Sequence, residues 1–155
     1  MPAELHDFLA SDHERLDVLL ARCRESIDSI AYDAFRRGLL RHISIEERVL
    51  FPLLRAKRGR TEIEHILHRD HATLTALLVP PPTIIEIEQI ASILEPHNLL
   101  EEEHGGMYEL IEDLAADDLT ALMTRVHAIP EVRVQPNVDK PLVRETIAYW
   151  LKQRE

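Results

Sequence analysis

A chain of 155 residues with 45% hydrophobic and 30% charged residues is long enough to bury one substantial core, and with 4 glycines and 5% aromatics it argues against disorder, collagen-like repeats and a glycine-rich β architecture. Lys plus Arg number 18 against 28 Asp plus Glu, a net charge of −10 that repels phosphate backbones and anionic lipid, so neither a nucleic-acid nor a membrane partner is expected. No stretch approaches the roughly 18 apolar residues of a membrane-crossing helix, and the opening residues Met1-Pro2-Ala3-Glu4-Leu5-His6 lack a basic region before an apolar core; a cytoplasmic protein is expected. The single cysteine, Cys23, reads as a small buried hydrophobe.

From Leu5 to about Ile30, the apolar residues Phe8, Leu9, Leu16, Leu19, Leu20, Cys23 and Ile27 recur at three- and four-residue steps, predicting an amphipathic helix. A connection near Ser29 to Asp33 leads into a second periodic run from Phe35 to Leu54, ending at the basic turn before Gly59. Thr61 with Glu64 reads as a capping box for a third helix through Leu67, Leu74 and Leu78, which Pro80-Pro81-Pro82 must stop. Thr83 with Glu86 opens a fourth, through Ile87, Ile90, Leu94 and Leu100 toward Leu114, with a kink expected at Pro96. Four long helices with short connections predict an all-α fold, an antiparallel up-down-up-down four-helix bundle over residues 1–116. Residues 117–155 read as a C-terminal extension packing on that bundle: a short helix to Ala128, an extended segment from Pro130 to Pro141, and a terminal helix with Val143, Ile147 and Trp150 or Leu151 on one side.

Nine histidines stand at 6, 13, 42, 65, 68, 71, 97, 104 and 127, and four of them fall into two repeated patterns. Asp12-His13-Glu14-Arg15-Leu16 and Asp70-His71-Ala72-Thr73-Leu74 share Asp-His-x-x-Leu; His42-Ile43-Ser44-Ile45-Glu46-Glu47 and His97-Asn98-Leu99-Leu100-Glu101-Glu102 share His-x-x-x-Glu-Glu. The alternation points to a duplicated helix pair. Residues four apart lie on one helix face with Cβ atoms roughly 6 Å apart, so His42/Glu46 and His97/Glu101 each present an imidazole and a carboxylate to one point. With His13 and His71 from the flanking helices, four imidazoles and two bridging-capable carboxylates face inward, a nitrogen and oxygen donor set without thiolate that suits two ions of iron or manganese in higher coordination ahead of zinc.

These motifs, with Leu50-Phe51-Pro52 following the first Glu-Glu pair, resemble the hemerythrin-like (HHE cation-binding) family over roughly residues 5 to 116. The resemblance implies a non-haem di-iron centre, oxo- or hydroxo-bridged, in a four-helix bundle. Glu46 and Glu101 would bridge the ions, with His13 and His42 on one and His71 and His97 on the other. It further implies binding or redox processing of a small diatomic or peroxide ligand (dioxygen, nitric oxide or peroxide) in sensing, detoxification or iron handling. The alternative is an iron-dependent regulatory or interaction module in which metal occupancy controls stability or partner binding. The chain departs from the oxygen carriers of that family: His68 and His71 are three apart rather than four, and the fourth helix ends its motif in Glu101. His68, Glu102 and His104 are additional candidate ligands. Tyr108 stands eleven residues past His97 where Phe51 stands nine past His42, so a π-bulge or glycine kink is expected just beyond the fourth-helix ligands. Glu47 is expected to face solvent, as is Glu102 if it does not bind metal. His6, His65 and His127 receive no role, and Tyr108 is expected to be a packing residue. No nucleophile constellation, phosphate loop or dinucleotide fingerprint is present.

Overall fold

A computed structural model describes residues 4–155; Met1, Pro2 and Ala3, the start of the stretch expected to lack a basic region before an apolar core, lie outside the described residues. About 80% of the chain is helical, and no strand occurs among the described residues. The first helix, α1 (Glu4–Glu25), buries Leu5, Leu9, His13, Leu16, Leu20 and Cys23 on one stripe. It ends earlier than its apolar periodicity predicts. Asp28 accepts hydrogen bonds from the backbone N–H groups of Ile30 (2.9 Å) and Ala31 (3.1 Å), so the chain restarts as α2 (Ser29–Ile45) from this cap. Ile27 and Ile30, read as part of the first helix, are left exposed. Asp28→Ala is expected to cost about 1 kcal/mol, measured as a fall in denaturant midpoint without a change in its slope.

Between α2 and α3 (Phe51–Arg58) lies a π-helical turn, Glu46–Leu50, in which the Phe51 N–H reaches back to the Glu46 carbonyl. Pro52 has no N–H and its ring would collide with the Arg48 carbonyl in a regular helix; the widened turn immediately before it relieves that collision. Of the two alternatives expected beyond the fourth-helix ligands, the π-bulge lies instead on the second helical segment, and the fourth shows the glycine interruption. On the fourth the chain breaks outright. Helix α5 (Ile84–Glu102) runs through Pro96 and stops, Gly105 adopts φ +80°, and α6 (Met107–Leu114) begins anew. Helix α4 (Glu62–Leu77) starts at Thr61, whose hydroxyl accepts from the Glu64 N–H at 3.3 Å, as the capping pattern predicts. At the second predicted box the bond differs: the Thr83 hydroxyl donates to the buried Glu86 carboxylate, and the backbone receives no side-chain cap.

Helix α1 packs on α2 and α5, and α4 packs on α5. After a short 3₁₀ turn, α7 (Leu119–Ala128) packs on the π turn, and α8 (Pro141–Gln153) lies along α4 with Ile147 buried and Val143, Trp150 and Leu151 against the same apolar cluster. The irregular stretch between them is stapled down. Asn137 Nδ2 donates to the carbonyls of Leu78, Val79 and Pro80 at 3.0–3.2 Å, satisfying acceptors left open where α4 ends.

Among the described residues the buried apolar side chains form two clusters, not one. One contains Leu16, Phe35, Leu39, Leu74 and Ile90; the other contains Leu9, Leu50, Phe51, Leu67, Tyr108 and Ile111. Along α1, α2 and α4, a buried histidine sits where the chain passes from one cluster to the other, between Leu9 and Leu16, Leu39 and Ile45, and Leu67 and Leu74. On α5, His97 follows Leu94 of the first cluster. The polar residues between the clusters form the candidate site.

Candidate metal centre

His13, His42, His71, His97, Glu46 and Glu101 are all buried, both glutamates completely. Four residues from three helices, His13, His42, Glu46 and Glu101, bring one donor atom each to within 4.8 Å of one another. Glu46, His71, His97 and Glu101 do the same. Both groups use both glutamates. On one side His13 Nε2 stands 3.2 Å from Glu101 Oε1 and His42 Nε2 stands 3.3 Å from Glu46 Oε2. On the other, His71 Nε2 is 3.0 Å from Glu46 Oε1 and His97 Nε2 is 3.4 Å from Glu101 Oε2. Proximity does not amount to hydrogen bonding throughout. Glu46 Oε1, Glu101 Oε2 and His71 Nε2 have no hydrogen-bond partner although all are buried. Uncompensated buried polar atoms are costly, and lone pairs converging from several helices are what a cation would satisfy.

Each imidazole is held from behind by a carboxylate. His42 Nδ1 donates to Asp12 at 2.9 Å, His97 Nδ1 to Asp70 at 3.0 Å, His13 Nδ1 to Glu102 at 2.6 Å and His71 Nδ1 to Glu47 at 2.7 Å. With the Nδ1 proton committed outward, the Nε2 lone pair is the one aimed inward, and the ring orientation is fixed. The pairing follows the duplication. Asp12 and Asp70, each just before a histidine, hold the histidine of the next motif; Glu47 and Glu102, each just after a carboxylate of the site, reach across to the other half. The repeated Asp-His and Glu-Glu doublets are thus the signal for these four residues, which sequence reasoning left without a supporting role. Glu47, expected in solvent, is a quarter exposed and bonded to both His71 and His68. Glu102 backs His13 and is not among the converging donors.

The two other additional candidates are also outside the converging groups. His68 is 62% exposed with Nδ1 on Glu47, and His104 is 96% exposed beside Glu109. The buried stripe of α4 runs through Leu67, Asp70, His71 and Leu74, and His68, one residue past Leu67 and so about 100° round the helix from it, lies beyond the edge of that stripe; the chain break after Glu102 carries His104 into solvent. His6 donates to the Glu102 carbonyl, and His127 packs edge-on against Phe8.

Tyr108 is more than packing. Its hydroxyl donates toward Glu46 Oε2 at 2.7 Å and Glu101 Oε1 at 3.1 Å, and lies 3.0–3.1 Å from the Nε2 atoms of His42 and His13. Its repeat counterpart, Phe51, instead stacks on His71 with ring centroids 5.5 Å apart. The two halves therefore differ: a phenol serves the His13/His42 side, a bare ring the His71/His97 side.

Burial opposes charge on His42, yet the Glu46 carboxylate and the bond to Asp12 push it up to about 10. His71 and His97 are raised against the same desolvation, by Glu46 and Glu47 in the first case and by Glu101 in the second. Burial likewise works against the Glu46 charge, but the His42 imidazolium holds this carboxyl well below its usual range. Burial and the two glutamate charges push the Tyr108 phenol up, so it keeps its proton. His42, His71 and His97 therefore favour their protonated forms when no cation is bound.

A cleft of about 520 Å³ between α1 and α5 includes Asp17, Leu94 and Asn98 in its wall. The same three residues line a small cavity that touches His13, His42 and His97. The buried Asn98 Oδ1 has no hydrogen-bond partner.

The hemerythrin HHE cation binding domain model matches residues 4–79, taking in α1 to α4 with His13, His42, Glu46 and His71 and ending before the helix that carries His97 and Glu101. No curated protein and no solved structure matches the chain.

Proposed function

Since the chain belongs to the hemerythrin HHE cation-binding family, we propose that its buried cluster holds two iron ions and binds or redox-processes a small ligand, dioxygen, nitric oxide or peroxide, in sensing, detoxification or iron handling. The observation that carries this reading is the sharing of Glu46 and Glu101 by two four-residue donor groups. A carboxylate with two oxygens, each facing a different pair of histidines, is suited to bridge a pair of ions. His13 and His42 would hold one ion and His71 and His97 the other, with the orphaned Glu46 Oε1, Glu101 Oε2 and His71 Nε2 satisfied by the metal. The contacts of α1 with α2 and α5, and of α4 with α5, support an antiparallel up-down-up-down bundle over residues 1–116 with an extension over 117–155. Among the described residues no helix is long and apolar enough to cross a membrane.

The ions would supply vacant coordination positions and reducing electrons for the small ligand. The chain does the rest. Asp12, Asp70, Glu47 and Glu102 lock the four rings so that the donors are organised before metal arrives. Leu16, Leu39, Ile43 and Leu94 exclude water on the cavity side, which favours a small uncharged ligand. Tyr108 holds a proton at its hydroxyl, directed at Glu46 Oε2.

The test is anaerobic reconstitution with ferrous iron, counting metal per chain, followed by air with the optical spectrum recorded. Two irons per chain and a new ligand-to-metal charge-transfer absorption are expected; a sample that takes up no iron overturns the proposal. The small ligand would enter from the α1/α5 cleft through the cavity beside His13, His42 and His97, and this route is tested separately. Leu94→Phe narrows the cavity that joins the α1/α5 cleft to the histidines and is expected to slow nitric oxide binding severalfold in stopped flow while two irons per chain are retained. An unchanged on-rate would place the route elsewhere.

A further inference from the structure

The first half of the duplication gives Asp12 two partners. One oxygen accepts from His42, and the other is held by Arg15 three residues along the same helix at 2.7 Å. At the equivalent place in the second half, Asp70 again holds a histidine, but three residues along stands Thr73, whose hydroxyl is turned back to the Arg69 carbonyl. No local cation serves Asp70. Its Oδ1 is paired instead with Arg154, beyond the end of α8 and 84 residues away in sequence. Asp70 is 3% exposed, so its ionised carboxylate depends on such a partner more heavily than Asp12 depends on the half-exposed Arg15.

The placement of Arg154 is itself determined by the docking of α8. Arg144, near the start of that helix, pairs with the buried Glu86 of α5 and with Asp139, while Arg69 of α4 donates to the Gln153 carbonyl at 3.3 Å. Ile147 is buried between these two ends. The terminal helix is thus pinned at both ends, and the second pin is one residue removed from an inward-facing imidazole.

We propose that Arg154 is a positioning residue for His97, acting through Asp70, so that the docked C-terminal helix governs how firmly the His71/His97 half of the centre holds its metal. The inference rests on the two-ion reading above. The arginine occupies the outer Asp70 oxygen and leaves the inner one no alternative to His97 Nδ1. Without it, a buried carboxylate with a vacant oxygen turns to find another partner, and the His97 ring loses its orientation. Losing the support behind a ligating histidine typically weakens metal affinity about 10–100-fold.

The experiment is stepwise anaerobic titration of the full chain with ferrous iron alone, alongside thermal melts of the metal-free protein. Arg154→Ala is expected to weaken one of the two binding steps by at least tenfold and to leave the other within twofold; Arg154→Lys should restore part of that loss. Arg144→Ala breaks the other pin without touching Asp70 and is expected to lower the melting temperature while leaving both binding steps unchanged. Two unchanged steps in Arg154→Ala overturn the proposal, as does equal weakening of both steps by Arg154→Ala and Arg144→Ala, which marks general loosening. A wild-type chain that binds fewer than two ions overturns the two-ion reading itself and this inference with it, a result distinct from two normal steps insensitive to Arg154.

Discussion

Glu101→Gln is expected to cost the protein both metal ions, whereas His71→Ala should cost one. Glu101 contributes to both donor groups, one oxygen toward His13 and the other toward His97, while His71 contributes to a single group. The glutamine keeps the volume of the side chain and one acceptor oxygen but replaces the other with an NH2 donor and removes the charge, so the fold is expected to survive while the metal ligand is lost. Stability provides the quantitative check. A ligand that binds only the folded state stabilises it by about 2.7 kcal/mol at a hundredfold excess over its dissociation constant. Ferrous iron under anaerobic conditions should therefore raise the unfolding free energy of the wild-type chain by about that amount for each ion bound, about 5 kcal/mol for two, and that of Glu101→Gln by almost nothing. Two irons retained by Glu101→Gln would show that this residue is not shared between the ions.

The second large effect is expected at Gly106 and not at its neighbour. Gly105 adopts the left-handed φ of +80° but has open space around it, so Gly105→Ala carries only the backbone penalty, about 1–2 kcal/mol. Gly106 has an ordinary φ, yet a Cβ there would lie 2.6 Å from the Leu100 carbonyl oxygen, 2.8 Å from that of Glu103 and 3.0 Å from that of Glu101. These are backbone atoms at the end of α5 and cannot swing aside as a side chain would. Gly106→Ala is expected to destabilise by about 2–3 kcal/mol, in the range of overpacked cores, and Gly106→Val by more. The displacement also acts on the centre, because Tyr108 is two residues further on and Glu101 supplies one of the crowding carbonyls. Equilibrium unfolding of the two alanine variants, with metal counts on each, checks the order; a larger loss at Gly105 would refute it.

Much of this arrangement is legible from residue spacing because helices and ligands obey the same period. The i, i+4 rule that places Leu16 and Leu20 on one stripe also places His42 beside Glu46 and His97 beside Glu101. What spacing does not reveal is how one helix meets the next. Asp12 stands beside His13 in the motif yet serves His42 on α2, and Glu47 and Glu102 look solvent-facing until the opposite half of the repeat is placed against them. The start of α2 escaped the periodicity argument for a different reason. Ile27 and Ile30 continue an apolar rhythm that their exposure shows to be incidental, and two hydrogen bonds at Asp28 decide the boundary. The π turn went to the helix with a proline after the site, and the helix with two glycines there broke instead: the first cannot keep a regular ladder but can widen it, whereas the second has little reason to continue. Arg154 lies beyond any reasoning from local pattern, since its partner stands 84 residues away.

The division of the interior into two oily clusters, with ionisable groups at the waist between them, bears on how the molecule opens. Apolar contacts propagate cooperativity through a domain, and here that continuity is interrupted along α1, α2 and α4 by a polar side chain whose grip depends on its neighbours being charged or metallated. Without metal, the cluster around Phe35 and Leu74 and the cluster around Phe51 and Tyr108 are expected to fluctuate as separate units, with amide protons in the two regions exchanging at different opening energies. An ion bound at the waist would tie α1, α2, α4 and α5 together and merge the two units into one, so that metal content would decide whether this chain unfolds in a single step or in two.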